Sequence, residues 1–279
     1  MGDYYPSRHK IHDILPFFIS NMKKAFAITA HEQIIFVLES VSQILPASIG
    51  IYLYGSAVLS ALRPDSDLDL LIFTDRPLTS SNREQLTKKL LRLSGRPHSY
   101  KRPVELSVVN RHDIAPWHFP PRFEYMYGEW LREDMEHGYV PQPFADPDNA
   151  VLLWQARMHS LPLTDESPAI ESFIPPIPFS EIRRSIREAL PNLLASLKGD
   201  ERNVLLTLSR MWYTAATREL TSKDNAALWA ESRVPEPFAV LLAKARNAYL
   251  GDVVDDWTNV EPEVSQLCRI LRDQILKEE

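Results

Sequence analysis

The side chains best placed for chemistry are two aspartates two residues apart, Asp67 and Asp69, at the start of an apolar run through Leu70, Leu71, Ile72 and Phe73. Strand side chains alternate between faces, so both carboxylates project to one side while Leu68, Leu70 and Ile72 project into a core. Two anions held side by side call for a cation between them. An acidic cluster, with Asp65 as a further member, is also what a solvated strand edge looks like, and the pair alone leaves both readings open. The balance shifts with Gly55 and Ser56, which end an apolar strand over residues 51–54 and precede a helical turn at Ala57, Val58 and Leu59. Glycine lets the backbone come close to a ligand, and the amides of a helix start favour phosphate oxygens. A phosphate cradle and a carboxylate pair would then face each other across residues 57–66.

Several elements must hold these groups in place. Ile34, Val37, Leu38, Val41 and Leu45 follow helical spacing until Pro46, which predicts a helix covering one face of the sheet. Thr79 or Ser80 can cap a second helix through about Leu93, with Leu86, Leu90 and Leu93 inward. A third strand follows Pro103, with Val104, Leu106 and Val108 on one face and Glu105 and Ser107 on the other. The aromatic and proline-rich residues 111–138 include Trp117 and Phe119, which serve as well to pin a loop as to meet a ligand. Three prolines and a loss of periodicity over residues 140–148 mark a linker, and the pattern beyond it is helical with no convincing strand. The helical segments are predicted near residues 149–159, 180–197, 202–218, 222–231, 235–249 and 261–276. Asp200 and Ser222 stand where N-caps are expected.

The chain has 279 residues, 44% of them hydrophobic, enough for a sizeable core and a soft expectation of two domains. A net charge of −6 disfavours nucleic acid as partner and suits a cationic substrate. One cysteine, Cys268, rules out an internal disulfide and points to the reducing cytoplasm. No apolar run is long enough to span a membrane, and no secretory leader is read at the start. Residues 1–30 carry little signal.

The order of strand, Gly-Ser, spacer and Asp-apolar-Asp resembles the nucleotidyltransferase superfamily that includes DNA polymerase β. Leu53-Tyr54-Gly55-Ser56-Ala57 with Ser66-Asp67-Leu68-Asp69-Leu70-Leu71 is similar, more specifically, to the aminoglycoside 3''- and 9-adenylyltransferases that inactivate streptomycin and spectinomycin. The likeness continues through Pro116-Trp117-His118-Phe119-Pro120-Pro121, Tyr127-Gly128-Glu129-Trp130-Leu131-Arg132, Lys198-Gly199-Asp200-Glu201-Arg202-Asn203 and Ala248-Tyr249-Leu250-Gly251. It spans roughly residues 31–255.

What the resemblance implies is an α+β fold. A polymerase-β-like nucleotidyltransferase domain over residues 31–145, a mixed sheet flanked by helices, would be followed by an all-α helical bundle over residues 146–279, with the active site between the two. It implies AMP transfer from ATP to an antibiotic hydroxyl with Mg2+, two ions being expected on Asp67 and Asp69. Two-metal transferases place a further carboxylate on the neighbouring strand, and Glu105 matches the family's general base. Gly55, Ser56, Ser66, Arg210 and Lys223 match positions that hold ATP. Trp130, Asp200, Glu201 and Asn203 match positions at the drug. Where streptomycin-modifying members carry an acid, this chain has Ser196, and Glu181-Ile182-Arg183-Arg184-Ser185-Ile186-Arg187 looks closer to the spectinomycin-specific enzymes. The resulting expectation is a cytoplasmic, monomeric spectinomycin 9-adenylyltransferase with streptomycin as a further substrate. Two rival readings are a nucleotidyltransferase for another small molecule, a protein or a nucleic acid, and a catalytically silent nucleotide-binding module.

Overall fold

The computed structural model of the protein describes residues 24–59, 62, 66–96 and 99–278. The proposed N-terminal extension, residues 1–30, lies outside this range up to residue 23, as does Asp65. Two compact units are present, divided between Ile177 and Pro178.

In the first unit a helix, α1 (Lys24–Ile44), leads into β1 (Ser48–Tyr54), a 3₁₀ turn (Gly55–Ala57), β2 (Leu68–Thr74), α2 (Ser80–Leu93) and β3 (Val104–Asn110). Short strands β4 (Arg122–Phe123), β5 (Tyr125–Tyr127) and β6 (Phe144–Ala145) follow. The short helix α3 (Arg132–Glu136), then α4 (Asp148–Met158) and β7 (Ser160–Pro162), complete its main elements. The main sheet has the order β5-β3-β2-β1-β7, with β2 and β3 parallel and every other neighbour antiparallel. It is the mixed sheet flanked by helices that the motif pattern predicts.

Period-two alternation decides which residues meet which layer. Leu68, Leu70, Ile72, Val104, Leu106 and Val108 join Ile34, Val37, Leu38, Val41, Leu86 and Leu90 in one buried cluster. That cluster is the expected packing of α1 and α2 on one face. On the opposite face Tyr52, Leu71, Phe73 and Val109 pack with Leu153 and Ala156 of α4 and with Phe173. The Phe73 and Phe173 rings stack with centroids 4.5 Å apart. Both faces are covered, so these strands are apolar almost throughout and their few polar side chains stand out. Trp117 packs against the second cluster, the loop-pinning role. Thr79 caps α2 with a reciprocal box, accepting from the Asn82 amide while the Asn82 side chain accepts from the Thr79 amide.

The expectation that no strand follows residue 145 is corrected by β7, whose residues 160–162 pair antiparallel with Tyr52, Leu53 and Tyr54 of β1. Three residues are too few to show an alternation in sequence, and Pro162 argues against a strand except at an edge, which is where β7 lies. Consequently the proline-rich residues 140–148 do not separate the units. Residues 146–177 belong with the sheet.

The second unit is helical: α5 (Phe179–Ala195), α6 (Glu201–Thr217), α7 (Lys223–Glu231), α8 (Phe238–Leu250) and α9 (Glu261–Lys277). Helix α6 touches each of the other four. Its Val204, Leu205, Leu206, Leu208, Trp212 and Ala215 are buried around most of its circumference, as a central helix requires. The buried Ser209 hydroxyl is satisfied by donating to the Leu205 carbonyl at 2.8 Å. Ser222 caps α7 as expected, accepting from the Asn225 amide. Asp200 occupies the N-cap position of α6 without a side-chain cap bond, its Oδ1 accepting from Asn203 Nδ2 at 2.7 Å instead. Burial pushes the Cys268 thiol up to about 12, so the single cysteine stays protonated. Among the described residues no helix is long and apolar enough to cross a membrane.

Candidate active site

The strand register assembles the first part of the site. Asp69 lies opposite Tyr54 of β1 and opposite Glu105 of β3, which puts the three side chains in one row on one face of the sheet. Adjacent strands are about 4.8 Å apart, so the Asp69 and Glu105 carboxylates are immediate neighbours. The Tyr54 side chain reaches across the β2 row and its hydroxyl donates to Glu105 Oε1 at 3.1 Å. Its hydroxyl pKa is raised well above the ordinary tyrosine value, by burial first and then by the negative charges of Glu105, Asp69 and Asp67. Tyr54 is therefore a protonated donor around which three carboxylates converge. Asp67, Asp69 and Glu105 are each only half-buried, which leaves a mouth for a ligand.

Gly55 closes one side of this row. Its φ is +70°, and a Cβ there would stand 2.0 Å from Asp69 Oδ2, so the position needs glycine both for its left-handed backbone and for the carboxylate against it. The helical turn expected at residues 57–59 is a 3₁₀ turn that begins at Gly55, and the Val58 and Leu59 amides both bond the Gly55 carbonyl. The left-handed glycine tightens the chain into that turn, and Ser56 sits within it. Ser66, at the mouth of β2, is held through its carbonyl by Arg102 Nη1 at 3.1 Å. Gln33 of α1 in turn bonds the Arg102 amide and carbonyl at 3.0 and 2.7 Å. Gln33 and Arg102, both buried, thus order the entry to the two carboxylate strands.

Trp130 lies on the same unit in a 3₁₀ turn (Glu129–Leu131) after β5, with 59% of its surface exposed. Glu129 beside it accepts from Arg132 Nε at 2.5 Å and from the Tyr127 hydroxyl at 3.0 Å. Burial alone would raise the Glu129 carboxyl, but the donors Arg132, Ser94 and Tyr127 outweigh it and hold the group below its usual value.

In the second unit the structure brings Asp200, Glu201 and Asn203 together at the start of α6. Glu201 Oε1 accepts from the Gly199 amide at 3.0 Å. A cavity of about 410 Å³ opens here, lined by Asp200, Glu201, Asp255, Asp256 and Glu261 against the cations Lys198 and Arg202, with Trp257 among its walls. Asp255 pairs with Arg202 at 3.1 Å and accepts from Trp257 Nε1 at 2.6 Å. Arg210 lies further along α6, and Lys223, the first residue of α7, places its ammonium 5.9 Å from the Tyr249 ring centre. Ser196 caps the end of α5, its hydroxyl exposed and donating to the Leu193 carbonyl at 2.9 Å.

Sequence reasoning missed Tyr54, the Gln33–Arg102 brace and the loop at residues 255–258. Each depends on strand order or on a contact between distant segments. Among the described residues no group of three or more His, Cys, Asp or Glu side chains is placed to hold a metal ion. The donor set at Asp67 and Asp69 fits Mg2+ all the same, because that ion takes one or two carboxylates and fills its remaining positions with water and substrate phosphate.

Comparison with known proteins points the same way. Residues 35–114 match the nucleotidyltransferase domain and residues 172–274 match the C-terminal domain of aminoglycoside adenylyltransferase. A spectinomycin 9-adenylyltransferase of Campylobacter jejuni is 50% identical over 244 residues, 87% of this chain and 93% of the relative. An aminoglycoside (3'')(9) adenylyltransferase of Escherichia coli is 37% identical over 236 residues, 83% of this chain and 89% of the relative. The crystal structure of a spectinomycin adenyltransferase from Enterococcus faecialis with ATP and spectinomycin superposes with a TM-score of 0.84 at 33% identity, covering 89% of this chain and all of that one.

Proposed function

The chain belongs to the aminoglycoside adenylyltransferase family, and from that premise we propose that it transfers AMP from ATP to the 9-hydroxyl of spectinomycin and releases pyrophosphate. The observation that carries the reading is the row Tyr54, Asp69 and Glu105 with the Gly55 turn pressed against Asp69. Tyr54 is anchored in the core, whereas the Asp69 and Glu105 carboxylates beside its hydroxyl are half-buried and open to a ligand.

The hydroxyl oxygen of the antibiotic attacks the α-phosphorus, the bond from that phosphorus to the bridging oxygen breaks, and pyrophosphate leaves. Glu105 takes the proton of the attacking hydroxyl. Tyr54, donating to one Glu105 oxygen, fixes the carboxylate so that its other oxygen faces the substrate. The Gly55 turn with Ser56 and Ser66 offers amides and hydroxyls to the triphosphate, and Arg210 and Lys223 of the helical unit supply positive charge to it. Asp67 and Asp69 would hold Mg2+, which when bound neutralises charge on the α-phosphate and on the leaving pyrophosphate. Trp130, Asp200, Glu201 and Asn203 would receive the cationic drug, in keeping with the acidic cavity at the start of α6.

Streptomycin is the second substrate considered, favoured by the relative of Escherichia coli whose name covers both positions. Ser196 offers a hydroxyl already tied to the Leu193 carbonyl in place of a carboxylate, so spectinomycin should be strongly preferred. We also place the enzyme in the cytoplasm, for which the single, buried cysteine is the support, and take it as a monomer on the family resemblance alone. Pyrophosphate release with ATP, Mg2+ and each antibiotic in parallel tests the reading. Turnover with spectinomycin well above that with streptomycin is expected, and Asp69→Asn should abolish it while leaving the unfolding transition in place. Full turnover by that variant would remove the metal assignment, and ATP binding without pyrophosphate release would favour the silent module.

A further inference from the structure

The Trp130 indole is exposed, yet the backbone on both sides of it is tightly fixed. Glu129, only 12% exposed at its side chain, accepts from Ser94 Oγ, the Tyr127 hydroxyl and two Arg132 nitrogens. Arg132, 10% exposed, also donates to the carbonyls of Leu91 and Ser94 at 3.1 Å. Such a brace holds the turn but leaves the ring two side-chain torsions of freedom. The space the ring occupies is set by Gly128. A Cβ at that position would meet the Cη2 and Cζ3 atoms of Trp130 at 2.3 Å and Cε3 at 2.6 Å. Gly128 has φ −157° and ψ 157°, an extended backbone that any residue adopts, so conformation does not require glycine there. The missing side chain is what the indole lies in.

We propose that Gly128 is a positioning residue for antibiotic binding: by lacking a side chain it seats the Trp130 ring in the orientation that receives the drug. The inference rests on the proposed role of Trp130 as an antibiotic contact. A methyl group at residue 128 evicts the ring from its seat. Because the ring is exposed it swings into solvent, and neither the sheet nor the Glu129–Arg132 brace has to move. The cost then falls on drug binding rather than on folding or on ATP.

The experiment is a double-variant cycle in the full chain with Gly128→Ala, Trp130→Ala and both together, read as kcat and KM for spectinomycin and for ATP, with thermal unfolding alongside. Gly128→Ala is expected to raise KM for spectinomycin about tenfold, equivalent to about 1.4 kcal/mol of lost ring contact. KM for ATP and the unfolding midpoint should stay near those of the parent. In the Trp130→Ala background the added methyl has no ring to strike, so the double variant should match Trp130→Ala alone. A Gly128→Ala enzyme with unchanged KM for spectinomycin, beside an impaired Trp130→Ala enzyme, overturns the positioning role. So does a further loss from Gly128→Ala when Trp130 is already absent. If Trp130→Ala itself leaves KM for spectinomycin unchanged, the antibiotic-contact reading on which the inference rests is the part that fails.

Discussion

Replacing Gly55 by alanine tests whether the turn after β1 and the Asp69 carboxylate form one device. The substitution has two separable costs. The backbone at φ +70° is left-handed, and an alanine held there costs about 1–2 kcal/mol. The new methyl would lie 2.0 Å from Asp69 Oδ2 and 2.7 Å from its Cγ. Ordinary contact needs about 3.2 Å or more, so the carboxylate must withdraw by about 1 Å. The backbone term lowers the melting temperature of the first unit by about 2–8 °C. A 1 Å displacement of a group that orients the reacting phosphate lowers kcat by about 100-fold. Pyrophosphate release and differential scanning calorimetry measure the two effects on one sample. The double variant Gly55→Ala/Asp69→Ala separates them, because with the carboxylate gone only the backbone penalty should persist in the unfolding data. A Gly55→Ala enzyme that keeps kcat within about threefold of the parent would refute the claim that the Asp69 position is set by the turn.

Other substitutions probe the supports of the site. Arg132→Ala leaves the Glu129 carboxylate in a largely buried place without its main partner and should cost about 3–5 kcal/mol; a urea midpoint shift worth less than about 1 kcal/mol would count against the brace. Arg210→Ala should raise KM for ATP by about tenfold or more, the usual loss for a charge-assisted bond to phosphate, and an unchanged value would exclude Arg210 from the triphosphate. Tyr52 is buried and donates to the Pro168 carbonyl at 2.5 Å, and burial, aided by the charge of Glu171, pushes its hydroxyl up to about 12. Its folded value exceeds the unfolded one near 10. The stability it contributes is therefore complete below pH 10 and lost at about 1.4 kcal/mol per pH unit as the pH rises toward 12. Tyr52→Phe should accordingly be less stable than the parent at pH 8, and the gap should close between pH 10 and 12; a gap independent of pH would contradict the assignment.

Much of the site is legible in the sequence because it lies on strands, where a period of two fixes facing. Asp67 with Asp69, and Glu105 opposite Val104 and Leu106, are such cases, and the helices of the second unit follow from their apolar spacing in the same way. The cap at Thr79 is legible because its partner is three residues away. Tyr54 is not, since a tyrosine at the end of an apolar strand reads as core until β2 is known to lie between β1 and β3. The Gln33–Arg102–Ser66 chain of bonds joins residues far apart in sequence, and no local pattern announces it. The acidic cavity is half legible: Asp200 and Glu201 belong to a recognisable helix start, whereas Asp255 and Asp256 reach it only through the packing of the loop after α8. The helical turn after β1 is legible from Gly55-Ser56, whereas the contact of that glycine with the Asp69 carboxylate is not, because it crosses from one strand to the next.

The late arrival of β7 bears on how the protein is made. Tyr52, Leu53 and Tyr54 bond a strand that lies more than a hundred residues downstream, so β1 is itself the edge strand until residue 162 is available. During synthesis, at about 5–20 residues per second, β1 with its carboxylate neighbours waits several seconds with that edge unpaired. An unpaired apolar edge is a template for other chains. A fragment ending at residue 145 should therefore aggregate, whereas one ending at residue 177 carries its own edge strand together with Phe173, the ring that stacks on Phe73. The shortest fragment in which β1 is paired on both sides is set by a three-residue strand.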